Sequence, residues 1–113
     1  MPPTATVETA PVPVLILTSI KQNFLARKIA KQLVDSRLAA AVQIREVDSF
    51  YRWQSKVHNH NEYTLTIKTI ETHFSKIEEL IKREHTYDTP QIIMLDIKDG
   101  SADYLRWIEE QVS

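Results

Sequence analysis

Two residue types are absent or scarce in this sequence, and each scarcity removes a class of function. Cysteine is missing from all 113 residues, which excludes disulfides, thiolate metal sites and cysteine nucleophiles. Glycine occurs once, as Gly100, so neither a phosphate-binding P-loop nor a Gly-rich dinucleotide fingerprint can be formed. Long apolar runs are also lacking, and a run such as Val14 to Leu17 is far too short to span a bilayer.

The charge balance argues against nucleic acid as a partner. The chain has 14 Lys and Arg residues against 15 Asp and Glu residues, whereas proteins that neutralise phosphates are strongly basic. We therefore expect no nucleic-acid and no membrane partner. The composition suits a cytoplasmic protein.

The chain divides into a short tail and one domain. Residues 1–11 are rich in Pro and Thr and have no basic segment followed by an apolar one, which predicts a flexible N-terminal tail rather than a secretory signal. Residues 12–113 have the common length of a single domain with one core.

Hydrophobic periodicity predicts the order β-α-β-β-α-β-α. The predicted elements are a strand over 12–19, a helix over 24–35 capped by Asn23, a hairpin over 41–69, a helix after the cap residue Thr72, a strand over 91–97, and a helix capped by Ser101. The first six elements match a ferredoxin-like split βαβ fold of the α+β class, with an antiparallel sheet and both helices on one face. The other face then needs a cover, and a second copy of the same sheet could provide it.

The predicted hairpin is longer than one small domain requires. Its first strand ends in Phe50, Tyr51 and Trp53, and a polar connection over 54–61 precedes the second strand. Exposed aromatic residues of this kind usually mark a partner interface. The continuous apolar residues 92–95 predict that the last strand is central in the sheet.

Four segments in this order resemble the CutA family of divalent-cation tolerance proteins. They are SFYRWQSKV, NEYTLTIKT, IKREHTYDTPQIIMLDI and YLRWIEE. The resemblance covers residues 14–111 and implies a ferredoxin-like subunit in a homotrimer like that of the PII signalling proteins. It also implies a role in tolerance of copper and other divalent metals, no enzymatic reaction and no required cofactor, with Cu²⁺ or another divalent cation as the ion that could bind.

Two positions depart from the family pattern. Ala41 stands where family members usually have a cysteine, so the soft thiolate that favours Cu(I) is missing. Thr86 replaces the proline of the usual His-Pro-Tyr, which leaves His85 and Tyr87 in place. A copper role inferred from the family is therefore weaker for this chain.

The resemblance and the residue types suggest one candidate cleft between subunits. His85 and Glu62 are its candidate metal ligands, and Lys68 and Tyr87 are further candidate cleft residues, with Lys68 requiring Glu62, Asp96 or an anion as a partner. His85 could instead be a polar anchor in this cleft, or a histidine that the dipole favours at the C-terminus of its helix and that bonds to the last carbonyls there. The candidate trimer-interface residues are Phe50, Tyr51, Trp53 and Trp107.

Three further possibilities remain open at this point. His58 and His60 form an H-x-H that could hold one ion, although a solvated loop without a specific role is the simpler interpretation. A PII-like scaffold or sensor could bind a small anionic ligand or a partner protein in the same clefts. An enzyme using His85, Tyr87 and Glu62 for proton transfer has little support, since no cofactor motif accompanies them.

Overall fold

The computed structural model describes residues 10–113 and contains the predicted order of elements. The predicted tail, 1–11, lies outside these residues except for Ala10 and Pro11. The strands are β1 (Pro13–Ile20), β2 (Ala41–Trp53), β3 (Lys56–Ile70) and β4 (Ile92–Asp96). The helices are α1 (Asn23–Asp35), α2 (Phe74–Glu84), preceded by a 3-10 turn over Glu71–His73, and α3 (Ala102–Gln111).

The four strands form one antiparallel sheet in the order β2-β3-β1-β4. Ile16 of β1 lies opposite Ile67 of β3 on one side and Met94 of β4 on the other. This order and the direction of every pair confirm the predicted ferredoxin-like fold.

The core lies between α1, α2 and one face of the sheet. Alternate residues of β1 and β3 are fully buried there, together with Ile29 of α1 and Ile77 of α2. The helix faces predicted from the 3.6-residue period are the faces that pack. The fully buried strand residues are Val14, Ile16, Thr18, Ile20, Leu65, Ile67 and Thr69.

The opposite sheet face has little cover among residues 10–113, and we call it the open face. Leu15 and Leu17 of β1 lie on it half-buried, opposite Leu95 and Ile93 of β4, each of which is 45% exposed. The helix α3 covers only one end, where Ile108 packs in a second cluster at the end of β3.

The hairpin differs from the prediction in its connection. β2 and β3 are joined by two residues, Gln54 and Ser55, with φ of 51° and 65°. Positive φ at both positions is typical of the tight turns that match strand twist. The remainder of the expected polar connection, 56–61, belongs to β3, so the H-x-H lies on a strand and not in a loop.

The position of β4 was also predicted wrongly. Among the strands of residues 10–113, β4 lies at the edge of the sheet and pairs with β1 alone. The apolar residues of β4 are continuous because one face of the strand packs on the core and the other lies on the open face. A central position in the sheet is therefore not needed to explain the apolar run.

Two of the three predicted helix caps were wrong. Gln22 and His73 hold the cap positions of α1 and α2, and neither side chain makes a capping hydrogen bond. Ser101 caps α3 as predicted, since its Oγ accepts from the backbone N–H of Tyr104 at 3.4 Å.

Candidate functional site

The centre of the site is a carboxylate in the middle of the long hairpin. Glu62 of β3 lies opposite Val47 of β2, and its side chain points to the open face. Only 6% of the residue is exposed. The hydroxyl of Tyr87, from the segment between α2 and β4, donates to its Oε2 at 2.5 Å.

Tyr87 is held as a hydrogen-bond donor. Burial and the hydrogen bond to the Glu62 carboxylate both raise the pKa of the Tyr87 hydroxyl above its ordinary value. A negative carboxylate beside the oxygen opposes loss of the phenolic proton. The hydroxyl therefore stays protonated at neutral pH.

His85 fixes the segment that carries Tyr87. The backbone N–H of Tyr87 donates to His85 Nδ1 at 3.1 Å, so Nε2 carries the ring proton and donates it to the Ser19 carbonyl at 2.7 Å. Both ring nitrogens are thus engaged, and metal ligation by His85 would require one of these bonds to break. The expected bond from His85 to the last carbonyls of its own helix is not formed, because the accepting carbonyl belongs to Ser19 of β1.

Lys68 lies away from Glu62 and has other partners. Its Nζ donates to Gln43 Oε1 at 2.9 Å and lies 5.5 Å from the centre of the Tyr104 ring. Six residues of extended strand, roughly 20 Å, separate it from Glu62. The predicted pairing of Lys68 with Glu62 or Asp96 is absent from the described residues.

A pocket of about 500 Å³ opens beside Glu62, between the hairpin and the segment after α2. Asp88 supplies a second carboxylate, and Tyr51, Trp53 and Tyr87 supply aromatic walls. None of the described residues that line the pocket is Lys or Arg. The described lining, with two carboxylates and no basic side chain, therefore suits a cation better than an anion. Asp88 was not among the predicted site residues, because an acidic residue in an irregular segment has no periodic signal.

The candidate interface residues lie in two places. Phe50, Tyr51 and Trp53 lie near the hairpin turn and are 72%, 37% and 44% exposed. Trp107 lies on α3, where it is 38% exposed and stacks on Tyr104 at 5.5 Å between ring centres. The structure therefore does not bring the four residues together within one chain.

Residues 10–113 lack both a preformed metal cluster and a membrane-spanning helix. No group of three or more His, Cys, Asp or Glu side chains there is arranged to hold a metal ion. No helix in the same range is long and apolar enough to cross a membrane.

Comparison with known proteins gives consistent matches. The family model of the CutA1 divalent ion tolerance protein matches residues 14–111. The divalent-cation tolerance protein CutA of Thermus thermophilus is 40% identical over 97 residues, which cover 85% of this chain and 94% of that protein.

Solved structures agree with the sequence matches. The CutA1 structure from Thermus thermophilus superposes with a TM-score of 0.85 at 38% identity and covers 89% of this chain and 99% of that one. The structure from Archaeoglobus fulgidus, described as a periplasmic divalent cation tolerance protein, gives a TM-score of 0.86 at 32% identity, with 89% and 99% covered. Because that protein is described as periplasmic, a cytoplasmic location for this chain stays a prediction.

Proposed function

The chain belongs to the CutA1 divalent ion tolerance protein family, and from this premise we propose that it binds a divalent cation without catalysing a reaction. The cation is held in the pocket at Glu62, with Asp88 as the second carboxylate. The working form is a homotrimer in which a neighbouring subunit covers the open face and helps to close the pocket.

The buried carboxylate of Glu62 is the observation that supports a cation. A buried charge is costly unless it is paired. Glu62 forms no ion pair within residues 10–113. Tyr87 donates to Oε2, and Oε1 accepts no hydrogen bond from the described part of the chain. A bound cation would provide the missing partner.

A titration with Cu²⁺, Zn²⁺ and Mn²⁺ tests the pocket. We expect Glu62→Gln to weaken cation binding at the pocket by more than about 10-fold. Mutating even the residues that only hydrogen-bond to metal ligands typically lowers metal affinity by about 10–100-fold. Glu46→Gln is the matched control, because Glu46 is on the other face of the hairpin, where it accepts from Asn61. Equal affinities in the two variants would rule out Glu62 as a ligand.

The trimer is supported by the open face and the hairpin. Ile93 and Leu95 present apolar surface beside the half-buried Leu15 and Leu17, and such a surface usually marks an interface. The residues described also extend over 61 Å in one direction and 26 Å in the other two, because the hairpin projects.

Light scattering tests the assembly. We expect a trimer mass for the natural chain and a smaller mass for Leu95→Lys, because that change places a charge on the open face. Trp53→Ala should weaken assembly if the hairpin contacts a neighbour. A monomer of the natural chain would contradict the proposal.

A PII-like sensor of a small molecule is the second candidate. A volume of about 500 Å³ is larger than a bare ion needs and lies within the range of small-molecule pockets. An anionic ligand would need Lys or Arg from another subunit, because the described lining has neither. A thermal-shift screen would support this candidate if organic ligands raise stability, and a response to metals alone would contradict it.

A further inference from the structure

The hairpin carries a second set of possible ligands, near its turn. His58 and His60 lie two residues apart on β3, so both side chains are on the open face. Their ring centres are 5.9 Å apart with planes inclined by 25°. Tyr51, opposite His58 on β2, lies 5.6 Å from both rings and is nearly parallel to that of His58.

The hydrogen bonding of His58 leaves one nitrogen available. Nε2 lies 3.2 Å from the carbonyl oxygen of Trp53, and since a carbonyl only accepts, Nε2 must donate. In the neutral ring Nδ1 then keeps its lone pair. Metal-ligating histidines characteristically donate their other N–H to a carbonyl or carboxylate, which fixes the ring and its tautomer. The ring of His60 makes no hydrogen bond to any described residue, so its nitrogens are free to turn toward the same ion.

We propose that His58 and His60 together bind one Cu²⁺ or Ni²⁺ ion at the hairpin, as a site separate from the Glu62 pocket. Imidazole suits both ions, and Cu²⁺ should bind most tightly among the divalent first-row metals. Water or a group of the neighbouring subunit completes the coordination, because the described residues supply no third ligand of the His, Cys, Asp or Glu type.

The strand geometry assigns the ion to the two histidines. Two nitrogens that are each about 2 Å from one ion lie roughly 3 Å apart, which the rings reach by rotating about their side-chain bonds. Glu62 lies four residues from His58, or roughly 13 Å along an extended strand, and cannot share that ion. The loop interpretation fails because paired strands hold the two Cβ atoms on one face, and Tyr51 packs against both rings.

The test exchanges the residues at two adjacent positions. Asn59→His combined with His60→Asn keeps the composition but places the two imidazoles on opposite faces of β3. The full chain is titrated with Cu²⁺, and nitrogen ligands are counted by electron paramagnetic resonance. Circular dichroism checks that the exchange variant is folded. Glu62→Gln serves as the control for the pocket.

We expect the natural chain to bind one Cu²⁺ per chain with a two-nitrogen signal, in addition to any ion held at the Glu62 pocket. The exchange variant should lose this signal and bind more than about 10-fold more weakly, whereas Glu62→Gln should retain it. A two-nitrogen signal of unchanged affinity in the exchange variant would overturn the inference, as would no such signal in the natural chain. If Glu62→Gln loses metal binding at the pocket but keeps this signal, the two sites are separate. That result supports both this inference and the function proposed above.

Discussion

The hydrogen bond from Tyr87 to Glu62 should contribute measurably to stability. The change Tyr87→Phe removes the hydroxyl and leaves the ring, so the 6% exposed carboxylate of Glu62 loses its donor. A hydrogen bond to a charged group is worth about 1.5–3 kcal/mol. For a domain of this length, ~2 kcal/mol lowers the melting temperature by about 8 °C.

The assay is chemical denaturation of both proteins at one protomer concentration, because the stability of an oligomer depends on concentration. Tyr63→Phe is the matched control: Tyr63 is half-buried on the other face of β3, and its hydroxyl has no hydrogen bond to a described residue. We expect this control to change the free energy of unfolding by less than about 0.5 kcal/mol. Equal losses in the two variants would refute the reasoning.

The same hydrogen bond predicts a dependence on alkaline pH. The folded state raises the pKa of Tyr87 above the ordinary value of 10.0. Above pH ~10 the unfolded chain therefore releases a proton that the folded chain keeps, and stability falls as the pH rises. The difference between the natural chain and Tyr87→Phe should be constant from neutral pH to about pH 9 and should shrink above pH ~10. A difference that grows with alkaline pH would contradict the assigned direction.

Two fully buried threonines and one cap give further predictions. Thr18→Val should raise the free energy of unfolding by about 1 kcal/mol, because Thr18 Oγ1 is buried and has no hydrogen-bond partner in the described part of the chain. Thr69→Val should lower it by about 1–2 kcal/mol, because Thr69 Oγ1 donates to the Leu38 carbonyl at 2.6 Å. Ser101→Ala should cost about 1 kcal/mol through loss of the α3 cap. Thermal denaturation checks all three, and a shared sign for the two threonine variants would show that their hydrogen bonding does not control the effect.

The helices were the elements best predicted from sequence. Apolar residues at Ile29 and Leu33 of α1, and at Ile77 and Ile81 of α2, identified the faces that pack on the sheet. The caps were less predictable. Several polar residues precede each helix, and the backbone conformation determines which of them occupies the cap position.

The long strand β3 could not be predicted in full. Its first six residues are mostly polar and have no apolar alternation, so periodicity indicates a loop. Pairing with β2 makes the segment a strand, and side-chain bonds such as Asn59 to the Ser49 carbonyl at 3.2 Å add to the ladder. A strand of this kind depends on its partner and not on its own residues.

The candidate site was also predicted only in part. Glu62, His85 and Tyr87 were predicted as cleft residues, and the structure places Glu62 and Tyr87 in contact across 25 residues of sequence. Lys68 was grouped with Glu62 because both lie on β3, but its partner is Gln43 on the neighbouring strand. The pocket residue Asp88 was missed.

Periodicity in the sequence was enough to establish the order of elements, the packing faces of the helices and the α+β class, because these features depend on residues within a few positions of each other. The resemblance in four segments was enough to identify the family. The edge position of β4, the two engaged nitrogens of His85 and the shared face of His58 and His60 on a strand required the structure. These features depend on how strands pair and on contacts between distant residues, such as His85 with Ser19, 66 positions apart, which local patterns do not encode.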